Sequence, residues 1–284
     1  MTSGAGRSAG GPGGRPRIGL STSSVYPEST AHAFAYAASV GYEAVEVMVG
    51  IDALSQQTDA VRQLSDHHDL PISAIHAPCL LFTQRVWGVE PWGKLERSAA
   101  MAKAVGAEVV VVHPPFRWQR EYARDFVNGI AALEESSGIA FAVENMYPWR
   151  ASKRRMEMYL PSWDPSEEEY ANTTIDLSHA AIAQSDPVAM AERLGRRLRH
   201  IHLTDGTDSA KDEHLVPGRG DMGAAAFLRH LATTGFAGEV VLEINTRRCT
   251  TREEREADLR ESLEFAVEHL TVVPAEAEPG GDQP

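Results

Sequence analysis

Cysteine is scarce in this sequence, and long apolar segments are missing from it. Only Cys79 and Cys249 occur among 284 residues, which is too few for a disulfide framework and gives no sign of an oxidising compartment. No run reaches the roughly 18 apolar residues of a membrane span, and the first residues lack the apolar core of a signal peptide. We therefore expect a cytoplasmic protein without a membrane partner.

Positive charge is scarce as well. The chain has 27 Lys and Arg against 40 Asp and Glu, a formal net charge of −13. This argues against a nucleic-acid partner, because phosphates are neutralised by Lys and Arg, but it does not exclude one, since Arg196, Arg197 and Arg199 could form a local basic patch. No G-x-G-x-x-G follows the first predicted strand and no Walker lysine loop occurs, so nucleotide-binding folds lose support.

Short strands rich in Val and Ile alternate with longer amphipathic segments. The predicted strands are 17–22, 44–49, 72–77, 108–114, 139–145, 173–179, 199–205 and 239–245. The predicted helices include 28–40, 93–105, 119–137, 187–197, 223–234 and 251–270. Eight such units are typical of an α/β fold with a single (β/α)8 TIM barrel, and a doubly wound open sheet is the alternative.

Composition divides the chain into three segments. Gly, Pro and Ser dominate residues 1–16, and the last dozen residues, 273–284, are similarly biased. We predict that both are disordered tails. Residues 17–272 then form the barrel domain.

Acidic and imidazole side chains stand at or just after the ends of the predicted strands. They are His76, His113, Glu144, Asp176, His179, His202 and Glu243, followed in the loop after His202 by Asp212 and His214. Because the carboxyl ends of barrel strands meet at one mouth, these side chains should converge. Buried carboxylates without Lys or Arg among them indicate a cation. The donor set suits Mn²⁺ or Zn²⁺ best, and Mg²⁺, Co²⁺ or Fe²⁺ as well.

Two further residue types are interpreted as structural. His200 lies two residues before His202, on the same strand face but deeper in the barrel, so we interpret it as a residue of the barrel interior or a support for the ligands. Cys79 and Cys249 are interpreted as packing residues, because the sequence suggests no base beside either thiol.

The succession IHAP, VVHPP, AVEN, TIDLSH, HIHLTD and VLEIN resembles the xylose-isomerase-like TIM-barrel superfamily, from residue 17 to about 245. That superfamily holds sugar isomerases and epimerases, inosose dehydratases and isomerases, and endonuclease IV. The resemblance implies a divalent metal held by Glu144, Asp176, His202 and Glu243. In its ketose epimerases the glutamates that match Glu144 and Glu243 are also the acid/base pair. The positions of His179 and Arg219 are then expected to contact substrate.

The chemistry of proton transfer agrees with that implication. Moving a proton at a carbon next to a carbonyl needs a Lewis acid on the substrate oxygens, one carboxylate to remove the proton and another to return it. Our first hypothesis is therefore a metal-dependent isomerase or epimerase that acts on a small sugar or sugar phosphate through an enediolate. The sequence is compatible with a homo-oligomer.

Endonuclease IV supplies the alternative, a multi-zinc phosphoesterase that cleaves DNA at abasic sites. Its additional metal ligands are matched here by His76, His113, His179, Asp212 and His214. A cluster of metals suits phosphoester cleavage because it activates water and stabilises the leaving oxygen. The chain departs from that pattern, since LTDGTD replaces LNDSK and TIDLSH lacks the DTCH form. A barrel that binds a metal or sugar without turnover is a third hypothesis.

Overall fold

The structure, a computed structural model, describes residues 15–151 and 154–271. The predicted tails therefore lie outside the described residues, except for Arg15 and Pro16. Arg15 forms an ion pair of 2.7 Å with Glu43, which ties this end of the described chain to the residue just before the second strand.

Eight parallel strands close into a barrel, in the order β1-β10-β9-β8-β5-β4-β3-β2. This confirms the (β/α)8 prediction, and the open sheet is wrong because β1 pairs with both β10 and β2. The barrel strands are β1 Arg17–Ser21, β2 Ala44–Met48, β3 Ile72–His76, β4 Val109–Val112, β5 Ala140–Glu144, β8 Thr173–Asp176, β9 Leu198–Leu203 and β10 Glu239–Leu242.

Eight α-helices are described around the barrel. They are α1 Thr30–Val40, α2 Thr58–His68, α3 Pro91–Val105, α4 Arg120–Ser137, α5 Leu177–Ala183, α6 Pro187–Leu194, α7 Ala224–Thr234 and α8 Arg252–Leu270. A glycine in the left-handed conformation follows α1, α3, α4 and α7 directly, the usual way to satisfy the last carbonyls of a helix.

The loop after β5 contains a feature that the sequence did not predict. Two short antiparallel strands, β6 Trp149–Ala151 and β7 Arg154–Met156, pair within it. This hairpin lies on the side of the barrel where the strands end, so it extends the wall of the mouth.

The predicted strand 173–179 is too long. β8 ends at Asp176 and α5 begins at once, because the Asp176 carboxylate accepts a hydrogen bond of 2.7 Å from the backbone N–H of His179. An aspartate in front of a helical segment is the usual N-cap. His179 therefore projects from the first turn of a helix and not from a strand.

Alternation along the strands separates two apolar clusters. Val110 and Val112 of β4 pack in the large core beneath the helices, whereas Val109 and Val111 pack in a small cluster inside the barrel with Ala74 and Ala142. Successive strand residues point to opposite faces, so the residue two places beyond each inward position also points inward. His76, His113 and Glu144 are those residues, which brings them to the mouth of the barrel interior.

The close approach of β9 and β10 gives a test of the fold. A Cβ on Gly238 would lie 2.1 Å from the carbonyl oxygen of Arg199. We expect Gly238→Ala to lower the free energy of unfolding by about 1–3 kcal/mol through overpacking, seen as a lower thermal midpoint. Gly50→Ala is the matched control, because the nearest atom to its Cβ would be 3.9 Å away. Equal midpoints for the two variants would contradict this packing.

Candidate active site

The Glu144 carboxylate is the hub of the site at the end of β5. Its Oε2 lies 3.1 Å from Nε2 of His113 and 3.4 Å from Nε2 of His76. Its Oε1 lies 3.0 Å from Nδ1 of His179 and 3.3 Å from Nδ1 of His202. Glu144 is 1% exposed, so one buried carboxylate joins imidazoles from four different segments of the chain.

His202 brings two more acids into the same cluster. Its Nδ1 lies 3.0 Å from Oε2 of Glu243 and 3.8 Å from Oδ2 of Asp176. Ser23 donates a hydrogen bond of 3.0 Å to the other oxygen of Glu243, which fixes the orientation of that carboxylate. Of the four residues that the resemblance assigned to a metal, the three carboxylates therefore lie around one ring nitrogen of the fourth, His202.

Asp212 forms the outer part of the cluster with two histidines. Its carboxylate oxygens lie 3.4 Å from Nε2 of His179 and 3.1 Å from Nε2 of His214. Ser178 donates to Asp212 at 2.8 Å and accepts from the backbone N–H of His214 at 3.1 Å. His214 has a φ of 45°, a left-handed conformation that costs free energy for a histidine and is found preferentially at functional sites.

The loop that carries Asp212 and His214 is organised by buried Asp205. Its carboxylate accepts hydrogen bonds from the backbone N–H groups of Gly206, Gly218 and Met222. A Cβ on Gly220 would lie 2.5 Å from this carboxylate, so the second glycine of the loop's G-x-G sequence is required by its close packing on Asp205.

Backbone carbonyls fix the ring orientation of three histidines in the cluster. Each carbonyl oxygen accepts a hydrogen bond from the Nδ1–H of one ring, and Nε2 of that ring then points toward a carboxylate. Lone pair against carboxylate is repulsive, so a proton or a cation must lie between them. The bonds are His76 to Ala77 O at 3.1 Å, His179 to Asn145 O at 2.9 Å, and His214 to Glu243 O at 2.8 Å.

Glu46 belongs to the site, although the sequence analysis missed it. It is fully buried in the middle of β2, and its carboxylate lies 2.9 Å from Nε2 of His200 and 3.2 Å from Nε2 of His202. Burial alone would raise the pKa of Glu46, but the two histidines hold it well below its usual range. Glu46 thus orients His202 from behind, and His200 supports Glu46. That position fits the structural interpretation of His200.

The interpretation of Cys79 as simple packing is wrong. Its thiol is partly exposed, and His76 and His113 both lie close enough to interact with it. Burial opposes ionisation of the thiol, but His113 and His76 lower its pKa to about 5. The sequence held no signal for this contact, because 34 residues separate Cys79 from His113.

The electrostatics of the cluster favour the protonated, cationic form of its histidines. Burial lowers the pKa of each imidazole, but neighbouring anionic groups more than reverse that effect: Cys79 and then Glu144 for His76 and His113, and carboxylates for His179, His202 and His214. The pKa is raised to about 9 for His113 and to about 10 for His214, and well above its usual value for His76, His179 and His202. Burial prevails at Asp176, whose pKa is raised, whereas the histidines hold the pKa of Glu46, Glu144 and Asp212 well below its usual value.

Several buried atoms of the cluster have no hydrogen-bond partner within the described residues. They include Glu144 Oε2, Asp176 Oδ2, His202 Nδ1 and His113 Nδ1. Ligand atoms of Asp176, His202 and Glu243 lie within 4.8 Å of one another, as do those of Asp176, His179 and His214. Unpartnered oxygen and nitrogen atoms at this spacing fit a divalent cation.

Arg219 is the one predicted site residue that the structure does not bring to the cluster. Its guanidinium is half exposed and pairs with Asp258 at 2.7 Å and with Glu261 on α8. A contact between Arg219 and substrate would require these ion pairs to open, and it stays a prediction.

The fold and this cluster define a TIM-barrel protein with a candidate metal centre at the strand ends. The sequence profile of the xylose isomerase-like TIM barrel matches residues 34–269. The chain belongs to that family.

Relatives of known sequence and structure agree with the family. Uncharacterized proteins of Mycobacterium tuberculosis and Mycobacterium leprae are each 48% identical in an alignment 273 residues long that covers 89% of this chain and 98% of each relative. The fold is similar to a D-tagatose 3-epimerase-like protein (TM-score 0.65, 22% identity, 90% of this chain and 100% of that one). It is also similar to 3-keto-D-glucoside 4-epimerase from E. coli (TM-score 0.65, 16% identity, 89% and 99%).

A D-allulose 3-epimerase from Methylomonas sp., solved in complex with D-allulose, is similar as well (TM-score 0.64, 16% identity, 93% of this chain and 100% of that one). At these identities the likeness concerns the fold. Across residues 15–151 and 154–271, no helix is both long and apolar enough to cross a membrane.

The raised histidine pKa values predict proton release on metal binding. At pH 7 imidazoles with a pKa near 9 or 10 carry a proton in the metal-free protein, but a ligand imidazole must be neutral. Binding of Zn²⁺ or Mn²⁺ should therefore release protons, and the metal affinity should rise as pH increases from 6 to 9. Calorimetry in buffers of different ionisation enthalpy measures this release. A binding enthalpy independent of the buffer would contradict it.

Proposed function

We propose that this protein is a divalent-metal-dependent isomerase or epimerase of a sugar or sugar phosphate. The observation that carries the proposal is the placement of Glu144 and Glu243, whose carboxylates lie 3.3 and 3.0 Å from the same nitrogen of His202. The family and the sugar epimerases among its structural neighbours support a carbohydrate substrate.

Glu144, Asp176, His202 and Glu243 would hold the cation, with Mn²⁺ or Zn²⁺ as the best match to their oxygen and nitrogen donors. When bound, a divalent cation polarises the carbonyl and hydroxyl oxygens of a sugar. Glu46 holds His202 in place, and Ser23 holds Glu243. This support leaves little freedom in the two glutamates, as proton transfer at a defined carbon requires.

The two glutamates divide the proton transfer between them. One carboxylate accepts the proton from the carbon next to the carbonyl, and the electron pair of that C–H bond forms the double bond of the enediolate. The other glutamate, in its acid form, then gives a proton to the same or the neighbouring carbon. His179 stands beside Glu144 and Asp212 at the mouth, where a substrate hydroxyl can contact it.

Exchange of substrate hydrogen tests this proposal directly. The metal-loaded protein should exchange the hydrogen next to the carbonyl of its sugar in D2O, observed by NMR. Glu144→Gln and Glu243→Gln should each slow exchange by about 10²–10⁴-fold, the usual contribution of an acid/base group. Glu135→Gln, at an exposed position of α4, is the control and should leave the exchange rate unchanged.

Exchange that persists at the wild-type rate in both glutamine variants would remove Glu144 and Glu243 from the reaction. A failure of the wild type to exchange any ketose, aldose or their phosphates would refute the isomerase itself.

A second candidate, metal-dependent phosphoester hydrolysis, is favoured by one specific observation. Asp212 lies between Nε2 of His179 and Nε2 of His214, and the Nδ1 atoms of both rings are committed to backbone carbonyls. This group can hold another cation beside the first, as a multinuclear hydrolase requires. The net charge of −13 disfavours a DNA substrate.

His214→Ala separates the two functions. In a mononuclear isomerase this variant should keep its metal content of one ion per chain and most of its activity. In a multinuclear hydrolase it should lose an ion and the hydrolysis of abasic-site DNA. Elemental analysis of the wild type and the variant, purified without chelators and with Mn²⁺ and Zn²⁺ present, measures the difference. Under the isomerase proposal we expect one ion per chain in both.

A further inference from the structure

A cavity of about 390 Å³ adjoins the cluster, between the loops that follow β3 and β4. His113 and Cys79 line it, and Nε2 of His113 is 3.1 Å from Glu144, so the cavity reaches the candidate metal centre. Its other polar lining residues are Gln84, Arg85, Lys94, Gln119 and Tyr122. No Asp or Glu of the described residues lines it, although the full sequence contains 40 of them.

Lys94 is a buried cation in the wall of this cavity. Its residue is 8% exposed, and its ammonium donates to the carbonyl oxygens of Thr83 at 3.3 Å and Gln84 at 2.6 Å. Within the described residues no carboxylate forms an ion pair with it. An ammonium has three N–H donors, so one is left over. Burial lowers the pKa of Lys94, and the Cys79 thiol in the same cavity wall opposes that effect, but a buried ammonium without a carboxylate partner is unusual in a protein.

Arg85 adds a second cation to the same cavity. It is exposed, and no acidic side chain of the described residues pairs with it. A neighbouring cavity at the mouth, of about 530 Å³, is different, because Arg247 shares it with Glu28 and Asp52. Among the described residues, the cavity beside His113 is therefore lined by one Lys, one Arg and no carboxylate, and the Cys79 thiol is its one acidic group with a lowered pKa.

We propose that this cavity binds an oxyanion of the substrate, a phosphate or a carboxylate, through Lys94 and Arg85. Lys94 provides a positive charge in the first turn of α3. The guanidinium of Arg85 can form two parallel hydrogen bonds with either oxyanion. The inference rests on the proposed function and narrows it. The substrate is an anionic sugar, either a sugar phosphate or a sugar acid, whose other end lies at His113 and Glu144.

Calorimetric titration of the metal-loaded full chain tests the site. The probes are inorganic phosphate, a hexose 6-phosphate, a hexuronate and the corresponding neutral hexose. We expect at least one anionic sugar to bind tenfold or more tightly than the neutral hexose. Arg85→Gln and Lys94→Met should each weaken that binding by about 10- to 100-fold, the contribution of a hydrogen bond to a charged group. The preferred probe distinguishes phosphate from carboxylate.

Lys103→Met is the matched control, because Lys103 is exposed in the last turn of the same helix. It should bind every probe as the wild type does. Arg85→Gln remains a valid test if Lys94→Met disturbs the carbonyls of Thr83 and Gln84. Among the described residues, the Arg85 side chain forms no hydrogen bond or ion pair that the substitution would remove.

Two results would overturn the proposal. One is anionic sugars that bind no more tightly than the neutral hexose. The other is an Arg85→Gln variant that binds the anionic sugars as tightly as the wild type does. Phosphate or sugar held by the bound metal ion alone would give that result, because such binding does not depend on Arg85. Failure of the proposed function looks different. Anion binding that depends on Arg85 and Lys94, without hydrogen exchange in any bound sugar, would keep the site and refute the isomerase.

Discussion

The structure depends on how the barrel buries four carboxylates, and holds a fifth, that of Asp212, at its mouth, without a Lys or Arg paired with them. Within the described residues, the ion pairs of Glu46, Glu144, Asp176, Asp212 and Glu243 are all with histidines. A histidine can give up its proton and a Lys or Arg at neutral pH does not. The cluster is therefore compensated by groups that a metal can replace, since protons leave when a cation enters.

Glu46 extends this constraint into the barrel. It joins β2 to β9, and it lies on the far side of His202 from Glu144 and Glu243. Removal of its charge would free the His202 ring to rotate and would remove the ion-pair partner of His200. The position of the candidate metal centre is thus set by a residue that would not touch the metal, as carboxylates behind metal-binding histidines commonly do.

Much of the site could be predicted from the sequence, because period-two alternation and parallel strands place strand-end residues at one mouth. His76, His113 and Glu144 follow from that rule. Glu46 does not, since a glutamate in the middle of AVEVM reads like the polar position of any alternating strand, and its partner His202 is 156 residues away. Lys94 lies in the predicted helix 93–105, where the sequence gives no sign of its burial, and only tertiary packing shows it.

His113 lies between a negatively charged and a positively charged region of the mouth. On one side are the carboxylates of the cluster, which attract cations, and on the other is the cavity with Lys94 and Arg85, which attracts anions. A neutral sugar gains nothing from this division, whereas a sugar with an oxyanion at one end and a carbonyl at the other is aligned by it. The reverse orientation would place the anion against Glu144, where like charges repel. The charge pattern therefore selects one direction of binding.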